Sequence, residues 1–287
     1  MAHLLIGFMR LVARWPLPVV RALGTALGAA LWVLAPRRRH IALVNLRLCW
    51  PELDEAQRRR LAWKHFLAFG RAVMDRSWLW HADKARVAQR LQVEGDVQAL
   101  SEPGAVVVFA PHFVGLDAGG VALTFVHDMP MASIYVPQSG QVMDEWVRQG
   151  RNRAGHNPLY ERHQGVKAIL AGLRQGQRLY LLPDMDFGPS DSVFVPFFGV
   201  SAATLPSLSR FARLGRARVV SVISRMTPQG YRIEVSPVWT DFPSDDLMAD
   251  TARMNALLEG YIRTMPEQYH WVHRRFKTRP EGQPGVY

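Results

Sequence analysis

Several short apolar runs in the chain do not alternate with polar residues, and they constrain the fold more than any other feature. Three of them are "AVVVFA" (105–110), "RLYLLP" (178–183) and "ARVVSVI" (217–223). Such a run is typical of a strand covered on both faces, as in a parallel sheet. Helical patterns such as "GVKAILAGLRQG" (165–176) lie between them. The alternation predicts an α/β fold, with a largely parallel central sheet flanked by helices.

Local signals add further elements to this prediction. Asp54 followed by Gln57 forms a capping-box pattern that opens a long helix. The segment "YRIEVSPVW" (231–239) alternates more, which predicts an edge or antiparallel strand. A helix of small residues is expected after Ala202. The aromatic segment "FVPFFGVSAAT" (194–204) is open to two interpretations, an exposed apolar lip of a binding site or a core strand followed by a helix start.

The first 40 residues are unusually apolar, and Leu17 to Ala35 carry a single charge, Arg21. We expect residues 1–36 to form an N-terminal hydrophobic membrane-anchoring helix and residues 37–287 a single α/β domain. The basic block 37–39 argues against a cleavable signal peptide and predicts that the rest of the chain is cytoplasmic. A pair of core helices in a soluble domain is the alternative.

Charge and cysteine content limit the possible partners. Lysine and arginine number 35 against 24 acidic residues, a net charge of +11, which favours an anionic partner. The basic and aromatic residues that alternate from Trp271 to Arg279 could stack nucleic-acid bases or lie on an anionic membrane. The apolar N-terminus favours the membrane, so no nucleic acid is expected. The single cysteine, Cys49, excludes a disulfide framework.

The strand at 105–110 leads through Pro111 directly to His112. Ligands of open α/β sheets bind at the carboxyl ends of strands, and histidine is suited to general-base catalysis near neutral pH. Asp117 lies in the first turn of the next helix and is expected to accept a hydrogen bond from the imidazole. The chain has no G-x-S-x-G motif, so the expected nucleophile is a substrate hydroxyl. On spacing alone, a loop histidine with a helix-capping aspartate remains open.

Longer motifs add specificity to this pair. "PHFVGLD" (111–117) has the H-x-x-x-x-D form of the glycerolipid acyltransferase superfamily. "LPDMDFGPSDSVFVPFFGVSAAT" (182–204) and "PEQYHWVHRRFKTRPEG" (266–282) resemble signature blocks of one branch, the lipid A late acyltransferases (the lauroyl/myristoyl acyltransferase family). The resemblance extends from about His40 to the C-terminus, and the apolar N-terminus suits it. Many members carry glutamate where this chain has Asp117.

The resemblance implies a reaction and its partners. Members of the family transfer a fatty acyl chain from acyl-acyl carrier protein to a hydroxyl of Kdo-lipid IVA, at the cytoplasmic face of the inner membrane. The expected partners are therefore acyl carrier protein, a phosphorylated glycolipid and the inner membrane. No cofactor and no metal are expected, although the paired aspartates Asp184 and Asp186 leave a metal site open. An acyltransferase for another membrane lipid, or a basic binding protein without activity, are the alternatives.

The same resemblance completes the set of candidate catalytic residues. His112 and Asp117 are joined by Arg151, which matches a catalytic arginine of the family, and by Asp184, which is expected to order the arginine or histidine side of the cleft. Arginine side chains bind phosphate in a forked, bidentate manner. Four more arginines are therefore expected to bind the acceptor: Arg148, Arg153, Arg162 and Arg275.

Overall fold

The computed structural model describes residues 2–161 and 166–287. The predicted phosphate ligand Arg162 lies outside these residues. The described strands are β1 (Leu91–Gly95), β2 (Val106–Phe109), β3 (Met131–Tyr135), β4 (Leu159–Glu161), β5 (Arg178–Leu181), β6 (Val193–Phe197), β7 (Val200–Thr204), β8 (Arg218–Thr227) and β9 (Gly230–Val235).

The described helices surround the sheet and connect its strands. They are α1 (Ala2–Val12), α2 (Leu17–Leu34), α3 (Pro36–Cys49), α4 (Glu55–His81), α5 (Lys84–Ala88), α6 (Gln98–Ser101), α7 (Leu116–Val121), α8 (Gln141–Arg151), α9 (Val166–Arg174), α10 (Ser207–Gly215) and α11 (Leu247–Thr264). A π-helical turn, Ala122–Val126, extends α7, and a 3-10 turn, Pro266–Gln268, lies just after α11. The capping box is confirmed at the start of α4, where Asp54 accepts from the Gln57 backbone N–H and the Gln57 side chain accepts from Asp54 N.

Within the described residues, a seven-stranded sheet has the order β1-β9-β8-β2-β5-β3-β4. Strands β8, β2, β5, β3 and β4 all run in the same direction. All four residues of β2 are buried, as expected for a strand covered on both faces. The predicted α/β fold with a largely parallel sheet flanked by helices is therefore confirmed. β9 is antiparallel to β8 and pairs with β1 on its other side, so it is antiparallel but not an edge strand.

The aromatic segment at 194–204 forms a separate hairpin of β6 and β7. Its side chains Phe197, Ala202 and Ala203 are fully buried, which favours the core interpretation over the apolar lip. The helix predicted after Ala202 is α10, which begins at Ser207 because β7 first continues to Thr204.

The N-terminal helices α1 and α2 pack against α4. A Cβ atom on Gly28 would lie 2.3 Å from the carbonyl oxygen of Phe66, and one on Gly70 would lie 2.2 Å from that of Gly24. The glycines therefore allow the α2 and α4 backbones to touch. Among the described residues α2 is the one helix long and apolar enough to cross a membrane, and 22% of it is buried. α2 is thus a candidate anchor that also shares an interface with the α/β domain.

Candidate active site

The register of two neighbouring strands brings His112 and Asp184 together. β2 and β5 are parallel, with Val106 opposite Arg178 and Phe109 opposite Leu181. His112 and Asp184 each lie just beyond these strands and keep the same offset of 72 residues. Asp184 Oδ1 lies 2.7 Å from His112 Nδ1, and Asp184 Oδ2 accepts from the His112 backbone N–H at 3.0 Å.

These two contacts fix both the orientation and the tautomer of the imidazole. A carboxylate facing Nδ1 favours a proton on that nitrogen, which leaves the Nε2 lone pair available as a base. Burial alone would raise the pKa of Asp184, but the charge and hydrogen bonds of His112 lower it below its ordinary value. Asp184 is fully buried and His112 is one-quarter exposed, so the imidazole is accessible to a ligand while the carboxylate is not.

The structure corrects the expected partner of Asp117. Its carboxylate accepts from Arg76 Nε at 2.7 Å and from Arg151 Nε at 3.2 Å, rather than from the imidazole. The reason is topological: Asp117 lies in the first turn of α7, which α4 and α8 flank with one arginine each. Burial would raise the pKa of Asp117, but the two guanidinium groups lower it to about 2. Asp117 therefore holds two arginines at the cleft, and Asp184 holds the histidine.

The C-terminal segment completes the histidine side of the site. His270 N donates to the His112 carbonyl at 3.0 Å, and Val114 N donates to the Gln268 carbonyl at 2.8 Å. The segment is itself fixed by Asn45 of α3, whose amide donates to the carbonyls of Trp271 and His273. The signature block at 266–282 thus acts as a wall beside the base.

Three further histidines line or support this wall. Burial lowers the pKa of His65 and of His273 to about 4, and that of His270 well below its ordinary value. The rings of His112 and His270 lie 6.3 Å apart. At neutral pH these three imidazoles are therefore uncharged, so they add no positive charge next to His112.

The site opens into a cleft of about 920 Å³, which is within the range of small-molecule sites. His112, Asp117, Arg76 and Arg151 lie along it, and Arg210 of α10 lies on its wall. Most of its remaining surface is apolar. Its apolar side chains include Phe69, Val73, Ile134, Ile169, Leu182, Met185, Phe187, Phe211 and Leu214. The cleft therefore combines a base, two paired arginines and a long apolar surface.

Two predicted phosphate ligands have structural partners. Arg275 is 2% exposed, donates to the Ala203 carbonyl and Thr204 Oγ1, and packs on Phe197. Arg153 donates to the carbonyl of Leu79 in α4 and to that of Ala82 just after this helix. Its guanidinium carbon lies 3.7 Å from the ring centroid of Phe125. The expectation that Arg275 binds the acceptor is corrected, because its guanidinium is buried and already paired. Arg153 also has protein partners, but it is only partly buried, and its role toward the acceptor stays a prediction.

The remaining candidate arginines, Arg148 and Arg151, lie in different surroundings, and so do the two aspartates Asp184 and Asp186. Arg151 faces the cleft, whereas Arg148 lines a separate surface groove and pairs with Glu161 at 3.4 Å. Asp186 accepts from Gly188 N and from both the backbone and hydroxyl of Thr278, so it ties the C-terminal segment to the β5 edge. Asp184 and Asp186 therefore have separate protein partners rather than a shared one.

Sequence reasoning missed the contributions of Arg76, Arg210 and His270, which come from distant helices and an irregular segment. The pairing of His112 with Asp184, by contrast, has a signal in the sequence, because "FAPH" (109–112) and "LLPD" (181–184) share one form. Each consists of an apolar strand end, a proline and one polar residue. Two such endings on adjacent parallel strands place their polar residues together at one sheet edge.

Known proteins match this chain over nearly its full length. The family model described as "Bacterial lipid A biosynthesis acyltransferase" matches residues 1–278. The lipid A biosynthesis lauroyltransferase of Escherichia coli (strain K12) is 35% identical, with 98% of this chain and 93% of the relative aligned. The palmitoleoyltransferase of the same organism is 33% identical over 98% of this chain and 92% of its own length. The lipid A biosynthesis myristoyltransferase of Escherichia coli (strain K12) is 31% identical, with 94% of this chain and 83% of the relative aligned.

The family model covers far more than half of the chain, and the relatives align along almost all of it. The histidine, its buried aspartate and the apolar cleft give that match a chemical site. The chain belongs to the bacterial lipid A biosynthesis acyltransferase family, and it is an acyltransferase of lipid A biosynthesis.

Proposed function

We propose that this enzyme transfers a fatty acyl chain from acyl-acyl carrier protein to a hydroxyl of a phosphorylated lipid A precursor of the Kdo-lipid IVA type. The observation that carries the proposal is the pairing of His112 Nδ1 with the buried Asp184 carboxylate at 2.7 Å, on the edge of an apolar cleft. A general base of fixed tautomer is what direct attack by a lipid hydroxyl requires.

The first step activates the acceptor. His112 Nε2 takes the proton of the acceptor hydroxyl as its oxygen attacks the carbonyl carbon of the thioester. The Asp184 carboxylate stabilises the imidazolium that forms, because it is a buried charge 2.7 Å from Nδ1. A new carbon–oxygen bond forms, and the carbonyl oxygen gains the negative charge.

The second step expels the carrier. The tetrahedral intermediate collapses, the carbon–sulfur bond breaks, and the sulfur accepts the proton from His112 Nε2. The products are an ester of the glycolipid and the free thiol of acyl carrier protein. His112 returns to its neutral state, so the enzyme needs no net proton or electron from elsewhere.

The paired arginines supply positive charge to this sequence. Arg76 and Arg151 direct only Nε to Asp117, and their side chains are 33% and 31% exposed in the cleft. Their remaining N–H groups can stabilise the oxyanion or bind a phosphate of the acceptor, and preorganised donors of this kind contribute strongly to catalysis. A backbone N–H near Gly115 is a second candidate for the oxyanion.

We also propose that the enzyme works at the cytoplasmic face of the inner membrane. Apolar side chains on α1 and α2 remain exposed while the opposite faces pack on the domain. The exposed set consists of Leu4, Leu5, Phe8, Leu11, Val19, Val33 and Leu34. Such a surface suits contact with lipid, and salt does not weaken apolar contacts as it weakens contacts between charges. Retention of the protein in the membrane pellet after a high-salt wash is expected, and release into the supernatant would contradict this part of the proposal.

A side-by-side acceptor assay tests the proposed reaction. Purified full-length protein receives one acyl carrier protein thioester with either Kdo-lipid IVA or lysophosphatidic acid, and the acylated products are quantified by mass spectrometry. We expect the glycolipid to be acylated far faster, and acyl-coenzyme A to be the poorer donor. Faster acylation of lysophosphatidic acid would refute the proposed acceptor while leaving the chemistry of His112 intact.

A further inference from the structure

A second, smaller pocket of about 70 Å³ lies behind the ion-paired arginines. Leu116, Asp117, Ile134, Arg151 and Leu182 line both this pocket and the main cleft, so the two adjoin each other. Beyond that shared boundary the walls are mainly apolar. They include Trp80, Val121, Met131 and Leu159.

Three polar side chains of the pocket already have protein partners. Thr124 Oγ1 donates to the Gly120 carbonyl at 2.8 Å, Tyr180 donates to the Leu116 carbonyl at 3.3 Å, and Asn157 Oδ1 accepts from Met131 N at 3.1 Å. An apolar ligand would therefore leave these three groups paired on entering. The polar groups that remain at the pocket include Trp80 Nε1–H, which has no hydrogen-bond partner among the described residues, and the Arg151 guanidinium at the boundary with the main cleft. The rest of the wall is mainly apolar and favours hydrocarbon.

Gly120 leaves the pocket open at one side of α7. It lines the pocket, and a Cβ atom built on it would have no neighbour within 4 Å. Its neighbour Gly119 differs, because a Cβ there would lie 2.2 Å from Ser224 Oγ. Packing thus accounts for the glycine at 119, whereas the space in front of Gly120 belongs to the pocket.

We propose that this pocket binds the methyl end of the transferred acyl chain and that Gly120 sets the longest chain it accepts. The inference rests on the proposed function, since it requires the thioester carbonyl to lie at His112. A volume of 70 Å³ corresponds to about five groups of the size of water, which is the scale of the last few carbons of an acyl chain.

Two substitutions of opposite sign test the proposal. Gly120→Met places a side chain in the pocket without a backbone clash and improves helix propensity. Leu159→Ala removes part of the wall between the pocket and the surface groove at Arg148. The control is Gly260→Met, at an exposed position on α11 where a Cβ also has no neighbour within 4 Å.

Each purified variant is assayed with acyl carrier protein thioesters that differ by two carbons, and the rate is plotted against chain length. For Gly120→Met, the rate with the longest good wild-type substrate, relative to a chain four carbons shorter, should fall about tenfold, the effect of excluding about two methylene groups. Leu159→Ala should shift the profile to longer chains, and Gly260→Met should leave it unchanged. An unchanged profile in a folded, active Gly120→Met protein would overturn the proposal.

A binding arm separates this inference from the proposed function. Dissociation constants of straight-chain fatty acids are measured for the wild-type protein and Gly120→Met, without donor or acceptor. We expect the variant to lose about tenfold in affinity for the longest acids and little for the shortest. Equal losses at every length would reject the pocket assignment. Failure of the wild-type protein to use acyl carrier protein thioesters, with this binding pattern intact, would reject only the proposed donor.

Discussion

Replacing Asp184 by asparagine should disable the base while leaving the cleft in shape. The carboxylate accepts two hydrogen bonds, from Nδ1–H and from the backbone N–H of His112. The two donors face different oxygens of the carboxylate, and an asparagine has an accepting oxygen at only one of these positions and a donating NH₂ group at the other. If its oxygen keeps the backbone N–H, the NH₂ group faces Nδ1 and favours the tautomer with the proton on Nε2. A protonated Nε2 cannot accept the proton of the acceptor hydroxyl.

The two contacts of Asp184 with His112 determine how much activity and stability the Asp184→Asn enzyme should lose. Loss of the correct tautomer in a histidine–aspartate pair lowers kcat by about 10,000-fold in a serine protease. We expect a fall of about 1,000-fold or more here, with a small change in KM, because Asp184 is fully buried and does not touch the substrate. The expected loss of stability is about 1–3 kcal/mol for the altered buried hydrogen bonds.

Steady-state kinetics and nitrogen-15 NMR of the histidine side chains would measure rate and tautomer separately. The control is Asp250→Asn, since Asp250 is also a buried carboxylate, with hydrogen bonds to Ser209 and Ser244. It should lose stability but keep its kcat. A folded Asp184→Asn enzyme with more than one-tenth of the wild-type kcat, or with the proton still on Nδ1, would refute the assignment of Asp184.

Three further substitutions test other parts of the structure. The pKa of Asp117 is lowered to about 2, so its ion pairs stabilise the fold above the ordinary pKa of an aspartate and are lost as pH falls. The wild-type protein should therefore be more stable than Asp117→Asn at pH 4. In denaturant melts, this difference in unfolding free energy should shrink by about 2 kcal/mol between pH 4 and pH 2. Arg210→Ala should raise the KM for the phosphorylated acceptor by about tenfold in kinetic assays, because a charged hydrogen bond is lost. The control is Arg213→Ala on the same helix, which should leave KM unchanged because Arg213 is similarly exposed but lies outside the cleft. Gly28→Leu should lower stability by about 1–3 kcal/mol because its Cβ would meet the α4 backbone, while Gly7→Leu, which has open space, should have little effect on thermal unfolding.

The fold was accessible from the sequence because burial leaves a direct trace in it. A strand covered on both faces, such as Val106–Phe109, has no polar side to display, and five strands of the sheet run in parallel accordingly. The ending of that strand at Pro111 and His112 likewise predicted a polar group at the ligand-binding edge.

The partners of His112 and Asp117 were less accessible because they depend on long-range register. Asp117 is five residues from His112 and can reach it by spacing alone, yet α4 and α8 direct Arg76 and Arg151 to the same carboxylate. Asp184 is 72 residues away, and only the pairing of β2 with β5 brings it to the imidazole. Nearest in sequence was not nearest in space.

The burial of Arg275 was hidden by its surroundings in the sequence. Its neighbours alternate between basic and aromatic residues in an irregular segment, which has no period to reveal the inner face. In the structure, the Ala203 carbonyl and Thr204 Oγ1 accept its N–H groups and the Phe197 ring covers it. A buried arginine of this kind ties the C-terminal segment to the β6–β7 hairpin.

Mass spectrometry of lipid A is the most direct test of His112 as the base that acylates a lipid A precursor. Lipid A is extracted from cells that lack this chain and from the same cells supplied with the wild-type protein or with His112→Ala at equal abundance. We expect the wild-type protein to restore one additional acyl chain and the variant to restore none, since loss of a general base lowers the rate by about 100- to 10,000-fold. Full restoration of the acyl chain by His112→Ala would contradict this role of His112.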